Sequence, residues 1–365
     1  MPDAVAAPIT VEVRTASATY PIEIAAAATA TLSAVLDAVK APARRFVVAT
    51  SNVWELHGGA MTGISQEEPI ILPDGERYKN VATVMRIYDA LIKASADRAS
   101  CLIALGGGVV GDITGFAAAT FLRGIPVVQV PTTLLAQIDS AIGGKTGVNH
   151  PLGKNLIGAY HQPLAVVVDP LLLSTLPRRE FRAGLYEAVK YGVIASRGLF
   201  ERLATDLRKL FARDAEALLP VIAECCRIKA DVVGRDEKEA GPRRALNFGH
   251  TAAHALEAVT KYRRFRHGEA VGYGMLAAAE LGVRRSVFAE ADREALAALI
   301  AKMGPLPPVA DLAVEELLQA IGRDKKVVAG KLHFVLPTSI GSTAVATDVT
   351  TDELSEALVA IGVRR

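Results

Sequence analysis

The chain has 365 residues, more than one hydrophobic core usually serves, so two domains are expected. Hydrophobic residues make up 51% of the chain and charged residues 22%, which excludes a disordered polypeptide, and a net charge of +2 argues against general nucleic-acid binding. The longest apolar region, residues 101–130, is interrupted by a glycine cluster, Asp112 and Arg123, and therefore predicts no membrane span.

The first half of the chain alternates short strand-like and helix-like segments. The strand-like runs are rich in β-branched residues, and the helix-like runs repeat apolar residues at helical spacing. In chain order the segments are TVEVR, ATATLSAVLDAVK, RRFVVAT, VATVMRIYDALIKAS, CLIALGG, PVVQVPTT and LAVVVD. This alternation predicts a Rossmann-like α/β layer with a mostly parallel sheet.

After PLLLSTLPRREF the pattern becomes helical. Long alanine- and leucine-rich segments follow, namely GLYEAVKYGVIAS, EALLPVIAECCRIKADVVG, EAVGYGMLAAAELGV and REALAALIAKM, and strand-like runs nearly vanish until KLHFVLPT. We place the domain boundary near Leu176 and Pro177. The sequence therefore predicts an α/β domain over 1–177 and an all-α domain over 178–365.

A glycine cluster ends one buried strand pattern in CLIALGGGVVGDITGF. A strand that runs through glycines into a helix is the layout in which backbone N–H groups and a helix N-terminus bind phosphate. The spacing differs from the usual dinucleotide fingerprint, so a simple tight turn is an equal alternative for this segment alone.

Two lysines follow in VQVPTTLLAQIDSAIGGKTGVNHPLGKN. Lys145 and Lys154 each come after glycines, and Asn155 is adjacent to the second lysine. One such lysine would indicate a solvated loop. Two lysines on glycine-rich loops beside an asparagine favour anion binding, since ammonium groups are effective point charges for phosphate or carboxylate.

An acidic and a basic residue lie three apart in AGLYEAVKYG. Glu187 and Lys190 share one helical face, and the simplest interpretation is an i,i+3 ion pair. The flanking apolar residues predict that the pair is buried, and buried charge needs a partner or ligand. Glu187 is also a suitable oxygen ligand for zinc.

The stretch NFGHTAAHALE places His250 and His254 on one face of a predicted helix. A zinc-protease helix has Glu directly after its first histidine, where Thr251 stands here, so a structural histidine pair is an open alternative. Pro242 can begin a helix that runs through Arg243 and Asn247 to the histidines. His267 follows in RHGEAVGYGM. Glu187, His250 and His267 together form a three-ligand set with open coordination positions, typical of catalytic zinc, and His254 would face substrate.

Taken together, these segments resemble the 3-dehydroquinate synthase family. The similar blocks, in family order, are PDGERYKN, LGGGVVGDITGFAAATFLRG, VPTTLLAQIDSAIGGKTGVNHPLGKNLIGAYHQP, TLPRREFRAGLYEAVKYG, LNFGHTAAHALE, HGEAV and DKKVVAGKLHFVLP. The resemblance covers nearly the whole chain. It implies a dehydroquinate synthase-like fold, with NAD and a divalent metal, zinc or alternatively cobalt, as cofactors.

The resemblance also implies a role for each matching residue. The cofactor-binding residues would be Asn52, Glu76, Lys79, Gly107, Gly108, Val109, Asp112, Thr132, Thr133, Asp139, Ser140, Lys154, Asn155 and Thr175. The catalytic residues would be Lys145, Lys154, Asn155, His254, Glu239 and Asp139, and the metal ligands Glu187, His250 and His267. Substrate would be bound by Arg123, Lys190, Lys229, Arg243, Asn247 and Lys325, the last taken from the pair Lys325 and Lys326.

The implied reaction converts 3-deoxy-D-arabino-heptulosonate 7-phosphate to 3-dehydroquinate and phosphate. Its steps are oxidation at C5, loss of phosphate, reduction, ring opening and intramolecular aldol closure, so NAD is not consumed. The chain departs from the family pattern in two places. Thr50 replaces a common Asp, which removes one expected ribose contact, and Pro242 replaces a common Leu.

Two related classes are the alternatives. Metal-dependent polyol dehydrogenases of the glycerol type share the two-domain plan, but a neutral polyol would leave the lysine, arginine and asparagine cluster unpaired. Cyclitol-forming sugar-phosphate cyclases are nearer, and Arg243, Asn247 and His254 favour a carboxylate-bearing substrate over theirs.

The compartment and assembly are also predicted. The opening MPDAVAAPIT lacks the basic start and apolar core of a signal peptide, and Cys101, Cys225 and Cys226 indicate no disulfide framework, so we expect a cytoplasmic protein. The resemblance implies a homodimer, with a small sugar phosphate rather than nucleic acid or membrane as its partner.

Overall fold

The computed structural model describes residues 8–239, 241–322, 327–328 and 331–365. They form two compact units. The first unit comprises the described residues up to Pro177 together with Arg213–Lys238, and the second comprises Arg178–Ala212 with the described residues from Glu239 to Arg365.

A seven-stranded sheet forms the centre of the first unit. Its strands are β1 (Ile9–Arg14), β2 (Thr19–Ile24), β3 (Arg44–Thr50), β4 (Ile70–Leu72), β5 (Ser100–Gly106), β6 (Val127–Pro131) and β9 (Ala165–Val168). Their order is β1-β2-β9-β6-β5-β3-β4, and every neighbouring pair is parallel except β1 with β2 at one edge. The predicted, mostly parallel α/β sheet is confirmed.

Both faces of this sheet are buried by helices. These are α1 (Leu32–Ala38), α2 (Ser51–His57), α3 (Val81–Lys93) and α4 (Gly108–Thr120). Alternate residues of β3 point to opposite faces: Val47 packs in one apolar cluster with Leu32 and Leu36, and Phe46 packs in the other with Ile87. Because β3, β5, β6 and β9 are covered on both sides, these strands are near-continuous apolar runs rather than alternating ones.

The order of the strands creates a switch point between β3 and β5. From β3 the chain moves outward to β4, and from β5 it moves the opposite way through β6 to β9. In doubly wound sheets, ligands bind beyond the carboxyl ends of the strands at this position. Those ends are Thr50 and Gly106, so the residues just after them are placed to bind a ligand.

Helix α7 (Ala215–Arg235) lies in the first unit, although the division at Pro177 would place it in the second. It packs on β1, and at Gly234 a Cβ atom would lie 2.7 Å from the carbonyl oxygen of Arg14. The predicted boundary therefore missed a segment that returns to the α/β unit. Apolar periodicity shows which face of a helix is buried but not which body buries it.

The second unit is helical. Its helices are α5 (Arg178–Ala195), α6 (Arg197–Phe211), α8 (His250–Val259), α9 (His267–Arg284), α10 (Glu290–Lys302), α11 (Val314–Gly322) and α12 (Thr351–Ala360). It also contains two short antiparallel pairs, β10 (Val327–Val328) with β11 (Lys331–Leu332) and β12 (Phe334–Ser339) with β13 (Ser342–Ala346). Among the described residues, no helix is both long and apolar enough to cross a membrane.

Candidate active site

The glycine cluster forms a narrow turn between β5 and the N-terminus of α4. Gly107 is the N-cap residue of α4. A Cβ atom would lie 3.0 Å from the Thr133 side chain at Gly107, and 2.8 Å from Ser140 Oγ at Gly108. The first-turn amides of α4, those of Gly108 and Val109 among them, have no acceptor within the helix and can bind an anion.

Ser140 gives a second indication that this turn binds a ligand. Its Oγ is buried and accepts or donates no hydrogen bond within the described part of the chain. Buried hydroxyls are normally hydrogen-bonded to protein, water or ligand. Thr132, also buried, donates its amide to the carbonyl of Gly106 at 2.9 Å, which holds the end of β6 beside the turn.

A polar cluster lies beside the same helix. The buried Lys79 is ion-paired with Asp112 of α4 and donates to Asn155 Oδ1 at 2.7 Å. Burial alone would lower the pKa of Lys79, but the carboxylates of Asp112 and Glu76 outweigh it and raise that pKa. Lys79 is therefore held as a cation. Lys154 Nζ lies 3.8 Å from Glu76 Oε1.

Lys145 and Lys154 lie on a β-hairpin, so the prediction that they occupy glycine-rich loops is wrong. Lys145 begins β7 (Lys145–His150), and Lys154 is the second residue of β8 (Gly153–Tyr160). Two other glycines, Gly147 and Gly158, allow the two strands of this hairpin to approach closely. Gly147 faces Gly158, and a Cβ at Gly147 would lie 2.5 Å from the carbonyl oxygen of Ile157.

Hydrogen bonds fix Asn155, the third residue of β8, which has a left-handed φ of 53°. The main-chain N–H of Asn155 donates to Asn149 Oδ1 at 2.9 Å, and Asn149 Nδ2 donates to Glu76 Oε1 at 2.8 Å. Asn149 was not identified from the sequence. It joins Glu76 to Asn155, two residues that the family resemblance assigns to one site.

Asp139 and Lys229 form an ion pair within the first unit. Asp139 lies on a π-helical turn, Ala136–Ser140, and Lys229 on α7. Inserted π turns are frequent at functional sites because they redirect side chains. This pair places Lys229 with the α/β unit rather than with the helical unit, where the sequence division had put it.

The remaining predicted residues of the first unit lie at its edges. Asn52 is in the first turn of α2, directly beyond β3, and Thr175 Oγ1 lies 2.9 Å from Nε2 of His57, the last residue of α2. Arg123 is exposed and has a left-handed φ of 67°. It follows the C-terminal end of α4, roughly 20 Å along that helix from the glycine turn, so the structure does not bring it to the cluster.

Three predicted metal ligands come together in the second unit. One ligand atom from each of Glu187, His250 and His267 lies within 4.8 Å of the other two. Glu187 Oε1 is 3.3 Å from His267 Nε2 and 3.7 Å from His250 Nε2. Two imidazole nitrogens and a carboxylate oxygen form a donor set that suits zinc and leaves further positions open. The residues present therefore fit a divalent metal.

Hydrogen bonds orient both histidines. His250 Nδ1 is 3.1 Å from the carbonyl oxygen of Phe248, and His267 Nδ1 is 3.5 Å from Glu257 Oε2. Burial lowers the pKa of His267, but the carboxylates of Glu257 and Glu187 outweigh burial and raise that pKa to about 10. The two carboxylates create a negative electrostatic potential at the His267 ring, which favours positive charge there.

Lys190 and His254 border the ligand set. Lys190, which is 1% exposed, is ion-paired with Glu187 Oε2 at 2.6 Å, so the predicted i,i+3 pair exists and is buried. The His254 ring centroid lies 5.7 Å from that of His250 and 6.2 Å from that of His267. His254 is thus next to the ligands without being one of the three.

The helix predicted from Pro242 through the histidines is interrupted. Residues Pro242–Asn247 form a 3-10 helix, and α8 begins only at His250, after Gly249 with φ of 78°. A Cβ at Gly249 would lie 2.9 Å from the Met275 amide nitrogen, so close contact with α9 sets this break. Glycine is compatible with helical spacing in sequence, and only packing reveals its left-handed conformation.

The 3-10 helix carries two of the predicted substrate residues. Arg243 is only 1% exposed, and Asn247 Nδ2 donates to Glu239 Oε1 at 2.6 Å. Lys325 and Lys326 lie outside the described residues. Glu257 was missed by the sequence analysis, although its position seven residues after His250, on the same helical face, is a usable signal.

Comparison with known proteins identifies the family. The family models described as 3-dehydroquinate synthase N-terminal and C-terminal match residues 69–183 and 184–327. A 3-dehydroquinate synthase from Nostoc sp. strain PCC 7120 is 52% identical over 290 residues, 79% of this chain and 80% of that protein.

Solved structures of related cyclases share the fold. The 2-epi-5-epi-valiolone synthase from Streptomyces hygroscopicus subsp. jinggangensis 5008, with NAD+ and Zn2+ bound, has a TM-score of 0.87 and 28% identity, covering 94% of this chain and 97% of its own. A 2-deoxy-scyllo-inosose synthase complexed with carbaglucose-6-phosphate, NAD+ and Co2+ has a TM-score of 0.85 and 25% identity, covering 97% and 99%. The resemblance predicted from the ordered motifs is confirmed, and the chain belongs to the 3-dehydroquinate synthase family.

Proposed function

We propose that this protein converts 3-deoxy-D-arabino-heptulosonate 7-phosphate to 3-dehydroquinate and phosphate, using NAD and a divalent metal. One observation carries the proposal: the ligand atoms of Glu187, His250 and His267 lie within 4.8 Å of one another in a chain that matches both halves of the 3-dehydroquinate synthase family. A metal bound there would supply Lewis-acid chemistry to substrate hydroxyls. We propose zinc, with cobalt as an alternative, since the two related cyclases bind Zn2+ and Co2+.

The first unit is proposed to hold NAD, which would take a hydride from the substrate and return it. The narrow turn at Gly107 and Gly108, the α4 N-terminus and the buried Ser140 hydroxyl support this assignment. The other proposed cofactor contacts are Asn52, Glu76, Lys79, Val109, Asp112, Thr132, Thr133, Asp139, Lys154, Asn155 and Thr175.

Lys145, Lys154 and Asn155 are proposed to bind the phosphate and stabilise the charge that develops as it leaves. Two ammonium groups and an amide on one rigid hairpin are suited to this task, because donors that are already placed need no reorganisation during the reaction. Lys79 holds the Asn155 side chain at 2.7 Å and Glu76 accepts from Asn149, so the hairpin residues are oriented before substrate arrives.

The second unit is proposed to bind the substrate carboxylate through Arg243, Asn247 and His254. A buried guanidinium is a strong, geometrically defined partner for a carboxylate. Glu239 holds Asn247 at 2.6 Å and Lys190 holds Glu187 at 2.6 Å, which orients one substrate donor and one metal ligand. Lys229 and one lysine of the pair Lys325 and Lys326 complete the proposed contacts, whereas Arg123, at the far end of α4 from the glycine turn, is not included. We also propose that the protein is cytoplasmic and that it is a homodimer. Light scattering from the purified protein can test the homodimer.

The test is phosphate release. Metal-loaded protein is incubated with the heptulosonate phosphate and catalytic NAD, beside a chelator-treated sample and a chelator-treated sample to which Zn2+ is returned. We expect phosphate release that requires metal, returns with Zn2+, and produces no net NADH. Steady NADH formation from glycerol without phosphate release would instead assign the protein to the polyol dehydrogenases.

A further inference from the structure

The second nitrogen of His267 faces a carboxylate that belongs to neither the ligand set nor the proposed substrate contacts. Glu257 Oε2 is 3.5 Å from His267 Nδ1, on the ring edge opposite Nε2, which lies 3.3 Å from Glu187 Oε1. The ring is therefore held between two carboxylates, one on each side.

Glu257 lies on the same face of helix α8 as His250 and His254. His250, His254 and Glu257 are spaced by four and three residues, so they form one stripe along a helix of ten residues. The Glu257 side chain is only 5% exposed. Burying a carboxylate costs several kcal/mol of folding free energy unless it is paired. A glutamate at this position would therefore destabilise the fold unless it had a partner such as His267.

The two histidine ligands are oriented in different ways. The partner of His250 Nδ1 is a main-chain carbonyl, that of Phe248 at 3.1 Å, which no substitution removes. The partner of His267 Nδ1 is a side chain. A carbonyl and an ionised carboxylate both only accept hydrogen bonds, so with a metal bound each ring would carry its proton on Nδ1 and present the lone pair of Nε2.

We propose that Glu257 is a positioning residue for the metal: it fixes the tautomer and orientation of His267 so that Nε2 is the ligating atom. A partner on the remote nitrogen also makes the imidazole a stronger donor, and loss of such a partner typically weakens metal affinity 10- to 100-fold. This inference rests on the metal site of the proposed function and adds a residue to it.

The test compares metal binding in the full-length protein and its variants. Zn2+ affinity is measured by competition with a chromophoric chelator, and the site is loaded with Co2+ to record its visible absorption bands. Glu257→Ala is expected to weaken Zn2+ binding 10- to 100-fold and to shift the Co2+ bands. Glu257→Gln, which keeps an acceptor oxygen but no charge, is expected to bind with intermediate affinity.

Two controls keep the result interpretable. Glu280→Gln removes another carboxylate from α9, one that pairs with Arg284 at 2.8 Å, and is expected to leave Zn2+ affinity unchanged. Thermal unfolding of the metal-free variants separates loss of fold from loss of metal. If Glu257→Ala stays folded and binds Zn2+ within threefold of the unsubstituted protein, the inference is wrong; if the unsubstituted protein binds no metal, the proposed function itself fails.

Discussion

At the scale of single residues, two lysines of the first unit differ in burial and pairing. In the first unit, Lys79 is buried between Asp112 and Asn155, and Lys154 stands beside Glu76 with 29% of its side chain exposed. A buried lysine that is paired mainly supports structure, whereas a partly exposed lysine beside such a support can also contact a ligand. Substitution of Lys154 is therefore expected to affect stability less than substitution of Lys79, which makes Lys154 the better position for testing a catalytic role.

Replacing Lys154 with methionine is expected to lower kcat/KM about 100-fold or more, because the ammonium donor proposed for the leaving phosphate is lost. The unfolding temperature is expected to change little, since the side chain is partly exposed and its ion pair with Glu76, at 3.8 Å, is long. Lys93→Met, at the end of α3, is the matched control and should change neither quantity. Equal kcat/KM values for the two variants would contradict the phosphate assignment.

At the scale of elements, the metal ligands depend on how closely α5 and α9 approach. Gly268 follows His267 on α9, and a Cβ there would lie 1.9 Å from the carbonyl oxygen of Ala183, one turn before Glu187 on α5. Glu269, fully buried, accepts from Arg179 at 2.7 and 2.8 Å and ties the same two helices together. The separation of Glu187 and His267 is thus set by backbone contact.

Gly268→Ala is expected to move the start of α9 away from α5, lowering stability by roughly 2 kcal/mol and Zn2+ affinity at least tenfold. Gly198→Ala in α6 is the control, because a Cβ there meets no atom within 4 Å and should stabilise the helix slightly. Both effects can be followed by thermal unfolding with and without Zn2+. Unchanged metal affinity in Gly268→Ala would show that the site tolerates displacement of α9.

The junction of α9 and α12 makes stability depend on pH. Glu353 accepts two hydrogen bonds from Arg285, both at 2.7 Å, and caps α12 with Thr350. Hydrogen bonds from Arg285 and from the Thr350 amide lower the pKa of Glu353 to about 2, below its ordinary value of 4.5. A depressed folded-state pKa means that this stabilisation is present above pH 4.5 and is lost as pH falls toward 2.

Glu353→Gln is therefore expected to lower stability at pH 7 by about 1 kcal/mol, a small effect because solvent screens the pair. The difference from the unsubstituted protein should shrink below pH 4.5. Unfolding temperatures measured from pH 2 to 7 check this, with Glu356→Gln, whose side chain is 50% exposed, as the control. A difference that stays constant with pH would rule out ionisation of Glu353 as its source.

At the scale of the whole molecule, the first unit is discontinuous in sequence. The chain leaves it after Pro177 and returns at Arg213, whose guanidinium donates to the main-chain carbonyls of Ser174 and Leu176. The point where the chain leaves the first unit and the point where it re-enters that unit therefore lie next to each other. Helix α7, entered there, packs on β1, where Val13 is fully buried.

A fragment of residues 8–177 is expected to aggregate or to lack cooperative unfolding, because the face of β1 that α7 covers becomes exposed. The same fragment joined to residues 213–238 through a short Gly/Ser linker should unfold cooperatively, since Arg213 lies next to Leu176. Circular dichroism with temperature distinguishes the two. Identical cooperative melts would show that α7 is dispensable to this unit.

The sequence by itself determined the main strands of the α/β sheet, most of the helices, the glycine turn and the types of chemical group at the site. These depend on periodicity, φ preference and ligand chemistry, which short segments express. It also placed Glu187, His250 and His267 in one ligand set, because a buried carboxylate and two imidazoles suit zinc and the family resemblance implies the same three residues.

Only the tertiary structure decided which partners those groups meet. That α7 joins the α/β unit, that Lys145 and Lys154 lie on paired strands, and that Glu257 faces His267 all depend on contacts between distant parts of the chain. A helical or glycine-rich pattern is compatible with many partners, and the one realised is fixed by packing and by the need to pair buried charge.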